Sequence, residues 1–175
     1  MKAREEMIEA LLTAAGCNLT ETEDVIAELN QMGYFTAPAS RGYHLAYEGG
    51  LADHSINVTK ELVKLTNDNN LKWKNARSPY IVGLFHDLCK CDQYIRTESG
   101  FEYNNDSLLR GHGEKSAIMA GQIITLNVEE ICCIRYHMGA YYKKDWDGFD
   151  KSIKRYPNVL WTHMADMIAS KLIEI

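Results

Sequence analysis

Apolar residues recur three and four positions apart in the first part of the chain, which predicts two amphipathic helices. Thr20 and Glu23 form a capping-box pattern at the start of the second helix, which we expect to end at Gly33. Residues 36–50 contain one proline and three glycines and are predicted to form a loop. The apolar positions of the two helices are Met7, Ile8, Leu11, Leu12 and Ala15, then Val25, Ile26, Leu29 and Met32.

A third helix is predicted from about Leu51 to Thr66. His54 follows Leu51 by three residues and precedes Val58 by four, so its side chain lies on the apolar face of this helix. We therefore expect His54 to point into the core.

A fourth helix is predicted to begin at Ser78 and Pro79, because proline is well tolerated in the first turn. Its apolar residues surround an adjacent pair of ionisable residues, His86 and Asp87. Burying such groups without a partner costs several kcal/mol. The sequence therefore predicts a partner for this pair.

The segment YIRTESGFEYNN predicts a β-hairpin, with two short aromatic runs around Ser99 and Gly100. A helix is expected to start near His112. Asn127 and Glu130 form a second capping-box pattern, which opens a further helix. The pattern as a whole predicts an all-α bundle with a small β-hairpin insertion.

The last part of the chain combines a predicted loop with a predicted helix. Residues 140–150 are rich in aromatic and acidic residues and are expected to form a loop. Pro157 precedes a helix whose apolar residues surround Asp166. Because the chain has 175 residues, we expect a single domain. Within it, residues 1–42 would form a helical extension packed on a core of residues 43–172.

Composition narrows the class of protein. Apolar residues make up 46% of the chain and charged residues 25%, as in ordinary globular proteins. No apolar run approaches the roughly 18–20 residues that cross a bilayer, and the charged first turns are unlike a signal peptide. The five cysteines include no CxxC pair, so we expect no disulfide framework. These features favour a cytoplasmic protein with no membrane partner. A net charge of −5 argues against binding of extended nucleic acid.

Six imidazole and carboxylate groups are expected to point inward or to lie at helix ends. Such groups suit divalent Mn, Fe, Co, Ni or Zn, with Mg as a further option. A metal would supply the missing partner of the His86–Asp87 pair, and six groups exceed the needs of one tetrahedral ion, which points to two. The six are His54, His86, Asp87, His112, His137 and Asp166.

These residues resemble the pattern of the HD superfamily of metal-dependent phosphohydrolases, which has an early His, a His-Asp pair, often further histidines, and a late Asp. Here the pattern covers about residues 43 to 172, in GGLADHSINV, LFHDLCK, GHGEKS, IRYHMG and HMADMIAS. HLAYEGGLADHS is similar to the HD domain of certain bacterial 3′-5′ exoribonucleases. GHGEKS and IRYHMG resemble small stand-alone HD hydrolases of bacteria and phages. Cys89 stands where that family usually has glycine, which would alter packing beside the site.

The resemblance implies an HD-domain helical bundle and a division of labour among the six residues. One metal ion would be held by His54, His86, Asp87 and Asp166. The second would be held by His112 and His137, with Asp87 as a catalytic bridge. The pair of ions would activate a water for in-line attack on phosphorus. No GxSxG elbow or P-loop offers a different chemistry.

Other candidates surround this set. Lys90, one turn past the His-Asp pair, is predicted to act as an electrophilic catalytic residue, with a surface lysine that caps the helix as the alternative. Lys115, Arg110 and His44 are candidates for substrate binding, each with an ordinary surface or loop role as its alternative. His163 is expected to be a core or supporting residue. Aromatic residues that could stack a nucleobase are Tyr136, Tyr141, Tyr142 and Trp146.

Three classes of function remain open at this point. The leading hypothesis is a phosphohydrolase that acts on a nucleotide or another small phosphate ester, because the chain is short and acidic. Its close alternative is a phosphodiesterase acting on short RNA or cyclic nucleotides. A second class is a catalytically silent module that binds metal or nucleotide and regulates, and a third is a helical interaction domain without metal.

Overall fold

The computed structural model describes residues 1–139 and 145–174. Helices dominate this part of the chain, and its only strands form one hairpin. The predicted all-α class with a small β-hairpin is confirmed. The elements are α1 (Lys2–Ala14), α2 (Leu19–Gln31), α3 (Gly50–Asp68), α4 (Ser78–Phe85), α5 (Lys90–Gln93), β1 (Tyr94–Thr97), β2 (Gly100–Tyr103), α6 (His112–Ile123), α7 (Val128–Tyr136), α8 (Trp146–Arg155) and α9 (Asn158–Ile168), followed by a π-turn (Ala169–Ile173).

Helix α2 begins two residues earlier than the Thr20 pattern places it. Asn18 is the capping residue: its side chain accepts a hydrogen bond from the Glu21 amide at 3.0 Å, and the Glu21 carboxylate accepts one from the Asn18 amide at 2.9 Å. The prediction of a Thr20–Glu23 box is therefore wrong. The Asn18–Glu21 and Thr20–Glu23 patterns overlap in the sequence. Asparagine caps a helix at least as well as threonine, and the helix starts at the earlier pattern.

The second predicted capping box, at the start of α7, is confirmed. Glu130 accepts a hydrogen bond from the Asn127 amide at 2.8 Å. Its other oxygen accepts one from the Ser78 hydroxyl, also at 2.8 Å, and both partners are buried. Ser78 is the first residue of α4, so this contact joins the starts of two helices of similar length.

Helix α3 lies at the centre of the fold and packs closely against α4. A Cβ on Gly83 would lie 2.6 Å from the Cα of Thr59, which shows how near the two helix backbones come. His54 on α3 is fully buried, as predicted. The largest buried side chains of the core include Tyr34, Leu51, Leu62, Ile81, Leu84, Phe85, Leu88 and Ile134.

The prediction of a loop over residues 140–150 is wrong for residues 146–150, which belong to α8. The Asp145 side chain caps this helix by accepting a hydrogen bond from the Gly148 amide at 3.0 Å. Its exposed face carries ion pairs four residues apart, Asp147–Lys151 and Asp150–Lys154. Residues 140–144 lie outside the described part of the chain.

The predicted hairpin is confirmed: β1 pairs with β2 in antiparallel register, from Tyr94 opposite Tyr103 to Thr97 opposite Gly100. At the other end of the chain, α1 is tied to α3 by Arg4, whose guanidinium donates two hydrogen bonds to Asp53 at 2.8 and 2.7 Å. The division into residues 1–42 and 43–172 stays a prediction. Among the described residues, no helix is both long enough and apolar enough to cross a membrane.

Candidate metal centre

Two of the candidate histidines end helices in the same way. Nδ1 of His86 donates to the carbonyl of Gly83 at 2.8 Å, and Nδ1 of His137 donates to the carbonyl of Ile134 at 2.7 Å. In each case the imidazole donates to a backbone carbonyl that would otherwise accept the next hydrogen bond of the helix. Helix α4 therefore ends at Phe85, and the His86–Asp87 pair lies in the turn after it. The sequence pattern had predicted the pair within the helix, so this part of the prediction is wrong.

The starts of α4 and α7 are joined through Ser78 and Glu130, and their ends also lie close together. The rings of His86 and His137 lie with their centroids 4.9 Å apart. Helix α6 approaches the same point from the other side, and its first residue is His112. The approach is close because residue 113 is glycine: a Cβ there would lie 2.0 Å from the carbonyl oxygen of Arg135.

The carboxylate of Asp87 lies at the centre of the cluster, with a pair of imidazoles on each side. Its Oδ1 atom lies 2.7 Å from Nε2 of His112 and 3.4 Å from Nε2 of His137. Its Oδ2 atom lies 3.5 Å from Nε2 of both His54 and His86. The carboxylate is therefore shared between two separate pairs of nitrogen atoms.

Asp166 completes the half of the cluster that contains His54. Its Oδ1 atom lies 3.3 Å from Nε2 of His54, and its side chain is 15% exposed. The Nε2 atoms of His54 and His86 are 3.2 Å apart. The fold thus brings together all six residues that the sequence predicts as a set.

In each of the four histidines, Nε2 faces Asp87 and Nδ1 contacts a different group. His86 and His137 bond to backbone carbonyls. Nδ1 of His112 lies 3.4 Å from Sγ of Cys89, so the cysteine contacts one of the six residues. Nδ1 of His54 lies 3.0 Å from both carboxylate oxygens of Glu174. Partners on Nδ1 orient an imidazole and leave Nε2 free to bind a metal.

The electrostatics of the cluster favour positive charge at its centre. Burial alone would lower the pKa of His54, but hydrogen bonds to Asp166 and Glu174 raise it to about 9. Burial likewise opposes protonation of His112, yet Cys89 and Asp87 raise its pKa to about 10. Burial opposes ionisation of Asp87, but the charge of Lys90 and of the histidines holds its pKa well below the usual range.

His86 behaves differently, because burial lowers its pKa to about 3 and keeps the ring neutral. Neutral imidazole is the form that binds a metal. Nε2 of His137 is buried and has no hydrogen-bond partner among the described residues. A buried polar atom of this kind is costly unless a partner is supplied. The neutral imidazole of His86, the ionised carboxylate of Asp87 and a ring nitrogen without a hydrogen bond together fit a divalent metal ion.

Three groups of His, Asp and Glu lie close enough to hold an ion among the described residues. Two of them share Asp87: His54, His86 and Asp87 form one, and Asp87, His112 and His137 form the other. The HD resemblance implies the same two groups with Asp166 added to the first, and this assignment of ligands stays a prediction. The third group consists of His44, His54 and Glu174.

Lys90 lies beside the cluster, with Nζ 2.5 Å from Oδ2 of Asp87. It is 7% exposed and opens α5, so the alternative of a surface lysine does not hold. Burial opposes its charge, but Asp87 raises the pKa of its ammonium group. Lys90 also lines a cavity of about 330 Å³ that reaches Asp87, His112 and Asp166. Its predicted catalytic role stays a prediction.

The three candidates for substrate binding are distributed over two cavities. His44 lines the same cavity as Lys90, with its ring centroid 5.1 Å from that of His54. Lys115 and Arg110 line a neighbouring cavity on the far side of His112. Lys115 is 4% exposed and pairs with Asp92, so it is not a solvated surface lysine, whereas Arg110 is exposed. Their roles in binding stay predictions.

The remaining candidates support the site or lie apart from it. His163 lines the cavity, and its Nδ1 lies 2.7 Å from the carbonyl oxygen of His137. The Tyr136 hydroxyl donates to Asp145 at 2.7 Å, and the ring of Trp146 packs against Phe149. The other two aromatic candidates, Tyr141 and Tyr142, lie outside the described residues.

Sequence reasoning missed Glu174 and the walls of the cavity. Glu174 follows Leu172, the last apolar position of the predicted helix, and a single acid at such a position is typical of a solvated side chain. Its side chain is nevertheless 1% exposed. The cavity walls come from five separate segments of the chain, so no local pattern joins them. They include Ser40, Tyr94, Met138, Met167, Ser170 and Lys171.

Comparison with known proteins gives one partial relative. The chain is 40% identical over 67 residues to the dihydroneopterin 2′,3′-cyclic phosphate phosphodiesterase of Methanocaldococcus jannaschii. The matched stretch makes up 37% of this chain and 27% of that protein, so the chain covers well under two thirds of the relative. No family model matches the chain, and no solved structure matches it.

Proposed function

We propose that the chain is a metal-dependent phosphohydrolase of the HD type, with two divalent metal ions, acting on a phosphate ester of a nucleotide or another small molecule. The observation that carries this proposal is the position of Asp87. Each of its two oxygen atoms faces a different pair of imidazole Nε2 atoms. A bridging carboxylate flanked in this way fits two ions better than one.

The partial relative supports the choice of reaction. Its name describes hydrolysis of a cyclic phosphate diester on a small ring-containing molecule. A 2′,3′-cyclic phosphate is therefore the first substrate class to test, ahead of linear monoesters. This makes a cyclic phosphodiesterase the favoured form of the proposal, and a phosphomonoesterase its alternative.

The cavity beside the cluster supports a small substrate. Its volume of about 330 Å³ lies at the lower end of the range for small-molecule sites. Tyr94, Met138 and Met167 give it an apolar wall suited to a flat ring system. Ser40 and Ser170 add hydroxyl groups that can orient the substrate. A long polymer would need an extended groove rather than a pocket of this size.

When bound, the metal ions would activate water and neutralise charge on the phosphoryl oxygens. His54, His86 and Asp166 would hold one ion, and His112 and His137 the other, with Asp87 shared. The ammonium group of Lys90 would bind a phosphoryl oxygen at the edge of the cavity and stabilise its growing negative charge.

His44 would bind the substrate by a hydrogen bond. Its Nε2 atom is buried and has no hydrogen-bond partner among the described residues. Burial, reinforced by the nearby His54, lowers the pKa of His44, so its ring is neutral near pH 7. A neutral imidazole can direct a polar group of the substrate but is a poor proton donor. This favours a binding role over acid catalysis.

Elemental analysis of the purified chain, followed by a substrate panel with Mn²⁺, tests the proposal. We expect two ions per chain and turnover of 2′,3′-cyclic nucleotides that exceeds turnover of nucleoside monophosphates and of a short labelled RNA. His137→Ala should retain one ion, because it removes a nitrogen from only one side of Asp87. Metal-stripped protein should be inactive and regain activity when Mn²⁺ is restored.

Two outcomes would redirect the assignment. Tight binding of one nucleotide without hydrolysis of any substrate, in the metal-loaded chain, would identify a regulatory module. Absence of metal after gentle purification, and no uptake on titration, would identify a helical interaction domain.

A further inference from the structure

Glu174 makes a buried contact with the proposed metal centre that none of the predicted roles includes. Both of its carboxylate oxygens lie 3.0 Å from Nδ1 of His54. Oε1 also accepts a hydrogen bond from Nδ2 of Asn57 at 3.0 Å. Asn57 lies one turn after His54 on α3, so the carboxylate is held against a single helix by two donors. The Glu174 side chain is 1% exposed.

The π-turn after α9 brings Glu174 to this position. The Glu174 amide donates to the carbonyl of Ala169, five residues earlier, at 3.0 Å. Asp166 lies eight residues before Glu174, and in a regular α-helix two such residues would be about 80° apart around the axis. In a π-turn the backbone amide bonds to the carbonyl five residues earlier, so each residue rotates less around the axis and the angle between Asp166 and Glu174 becomes smaller. Asp166 and Glu174 thus approach the same imidazole ring from its two nitrogens.

The contact assigns a proton to Nδ1 of His54. An ionised carboxylate can only accept hydrogen bonds, so the proton on this side of the ring belongs to Nδ1. With Nδ1 bonded to Glu174, Nε2 faces Asp166 and Asp87 at 3.3 and 3.5 Å.

We propose that Glu174 is a positioning residue for His54, and that its carboxylate orients the ring and strengthens Nε2 as a metal ligand. This rests on the proposed function, because it assumes that His54 binds a metal ion. His54 differs in this respect from His86 and His137, whose Nδ1 atoms bond to uncharged backbone carbonyls. A charged partner raises the basicity of an imidazole ligand more than a neutral one does.

Paired variants of the full chain test this inference. Glu174→Gln keeps an oxygen that can accept from Nδ1 but removes the charge, whereas Glu174→Ala removes both. Glu28→Gln, at an exposed position on α2, makes the same chemical change away from the site. Metal-stripped proteins would be titrated with Mn²⁺ by calorimetry. The protonation of the His54 ring nitrogens would be followed by ¹⁵N NMR in the metal-free chains.

We expect the affinity for Mn²⁺ to fall about 10-fold in Glu174→Gln and up to about 100-fold in Glu174→Ala, the range found when such outer partners are lost. Glu28→Gln should bind like the unaltered chain. In the metal-free Glu174→Ala protein, the His54 signals should shift as the Nδ1 proton loses its acceptor. A role confined to packing would leave the affinity of Glu174→Gln unchanged, because the amide has nearly the same shape.

The two proposals fail in different ways. An unaltered chain that takes up no Mn²⁺ overturns the proposed function and this inference together. Mn²⁺ binding that is equally tight in the unaltered chain and in Glu174→Gln and Glu174→Ala overturns only the role of Glu174. If Glu174→Ala fails to fold, the titration of Glu174→Gln still decides between these outcomes.

Discussion

Nζ of Lys90 lies 2.5 Å from Oδ2 of Asp87, and both side chains are almost completely buried. The pair is local, because Asp87 precedes Lys90 by three residues in the tight turn between α4 and α5. It places a permanent positive charge at the edge of the cavity, next to the carboxylate that the proposed metal ions would share. Lys90 can therefore contribute to catalysis without being a metal ligand.

Replacement of Lys90 by methionine should separate catalysis from metal binding. We expect kcat to fall about 100-fold, because one electrostatic contact to the phosphoryl group is lost, while the metal content is unchanged. Steady-state kinetics on a cyclic nucleotide and elemental analysis measure the two effects. Lys60→Met, at an exposed position on α3, provides the control. Unchanged kcat in Lys90→Met would assign Lys90 a purely structural role.

Asp87→Asn should remove both metal ions and the activity. The amide keeps the shape of the side chain but cannot bridge two cations, so the loss in metal affinity should exceed the 10- to 100-fold typical of a lost outer partner. Asp87→Ala should lose metal as well, and it leaves Lys90 buried without its partner, which costs about 3–5 kcal/mol.

Metal analysis and circular dichroism distinguish loss of the site from loss of the fold in these variants. Asp68→Asn, at an exposed position near the end of α3, should behave like the unaltered chain. Activity that persists in a folded Asp87→Asn protein would contradict the assignment of Asp87 as the bridge.

Much of the helical fold follows from local signals that the sequence carries. Apolar spacing located α3, and the Asn127–Glu130 box located the start of α7. Helix α8 was missed because its exposed face is mostly charged and Phe149 is its one buried residue. What stabilises α8 is an Asp145 cap and ion pairs along its surface, which are weak signals in an aromatic and acidic stretch.

The candidate site could be predicted as a set of residues but not as a geometry. Histidine and aspartate on apolar faces are conspicuous, because burial without a partner is costly. Glu174 gives no such signal, since the position of its side chain depends on a π-turn and on tertiary contact with α3. The end of α4 at Phe85 was also hidden, because it depends on a side-chain bond from His86 to the Gly83 carbonyl.

Two glycines on α6 should respond to alanine in opposite directions. At Gly113 a Cβ would lie 2.0 Å from the carbonyl oxygen of Arg135, so α6 and α7 would have to separate. We expect Gly113→Ala to lower the free energy of unfolding by about 1–3 kcal/mol, as overpacking usually does. The movement of His112 away from His137 should also weaken metal binding.

Gly121 provides the matched control within the same helix. A Cβ there would contact nothing within 4 Å, so the intrinsic preference of helices for alanine should dominate. Gly121→Ala is expected to raise the free energy of unfolding by up to about 1 kcal/mol. Urea denaturation of the two variants measures both effects. Equal stability of the two proteins would show that α6 and α7 are not in close contact.

The bidentate contact between Arg4 and Asp53 should make the packing of α1 depend on pH. Burial opposes ionisation of Asp53, but hydrogen bonds from Arg4 and Tyr47 hold its pKa below the usual range for aspartate. A carboxyl group whose pKa is lowered by folding stabilises the native chain above its unfolded pKa. That contribution is lost as the pH falls through the folded pKa. The ion pair is partly exposed, so its contribution should be about 1 kcal/mol.

Arg4→Met should therefore lower the free energy of unfolding by about 1 kcal/mol at pH 7, with a smaller difference near pH 3. Lys2→Met, on the same helix but highly exposed, should have little effect. In an Asp53→Asn background Arg4→Met should cost almost nothing at pH 7, because the carboxylate it pairs with is already absent. A full cost of Arg4→Met in that background would mean that the guanidinium stabilises α1 by packing rather than by charge.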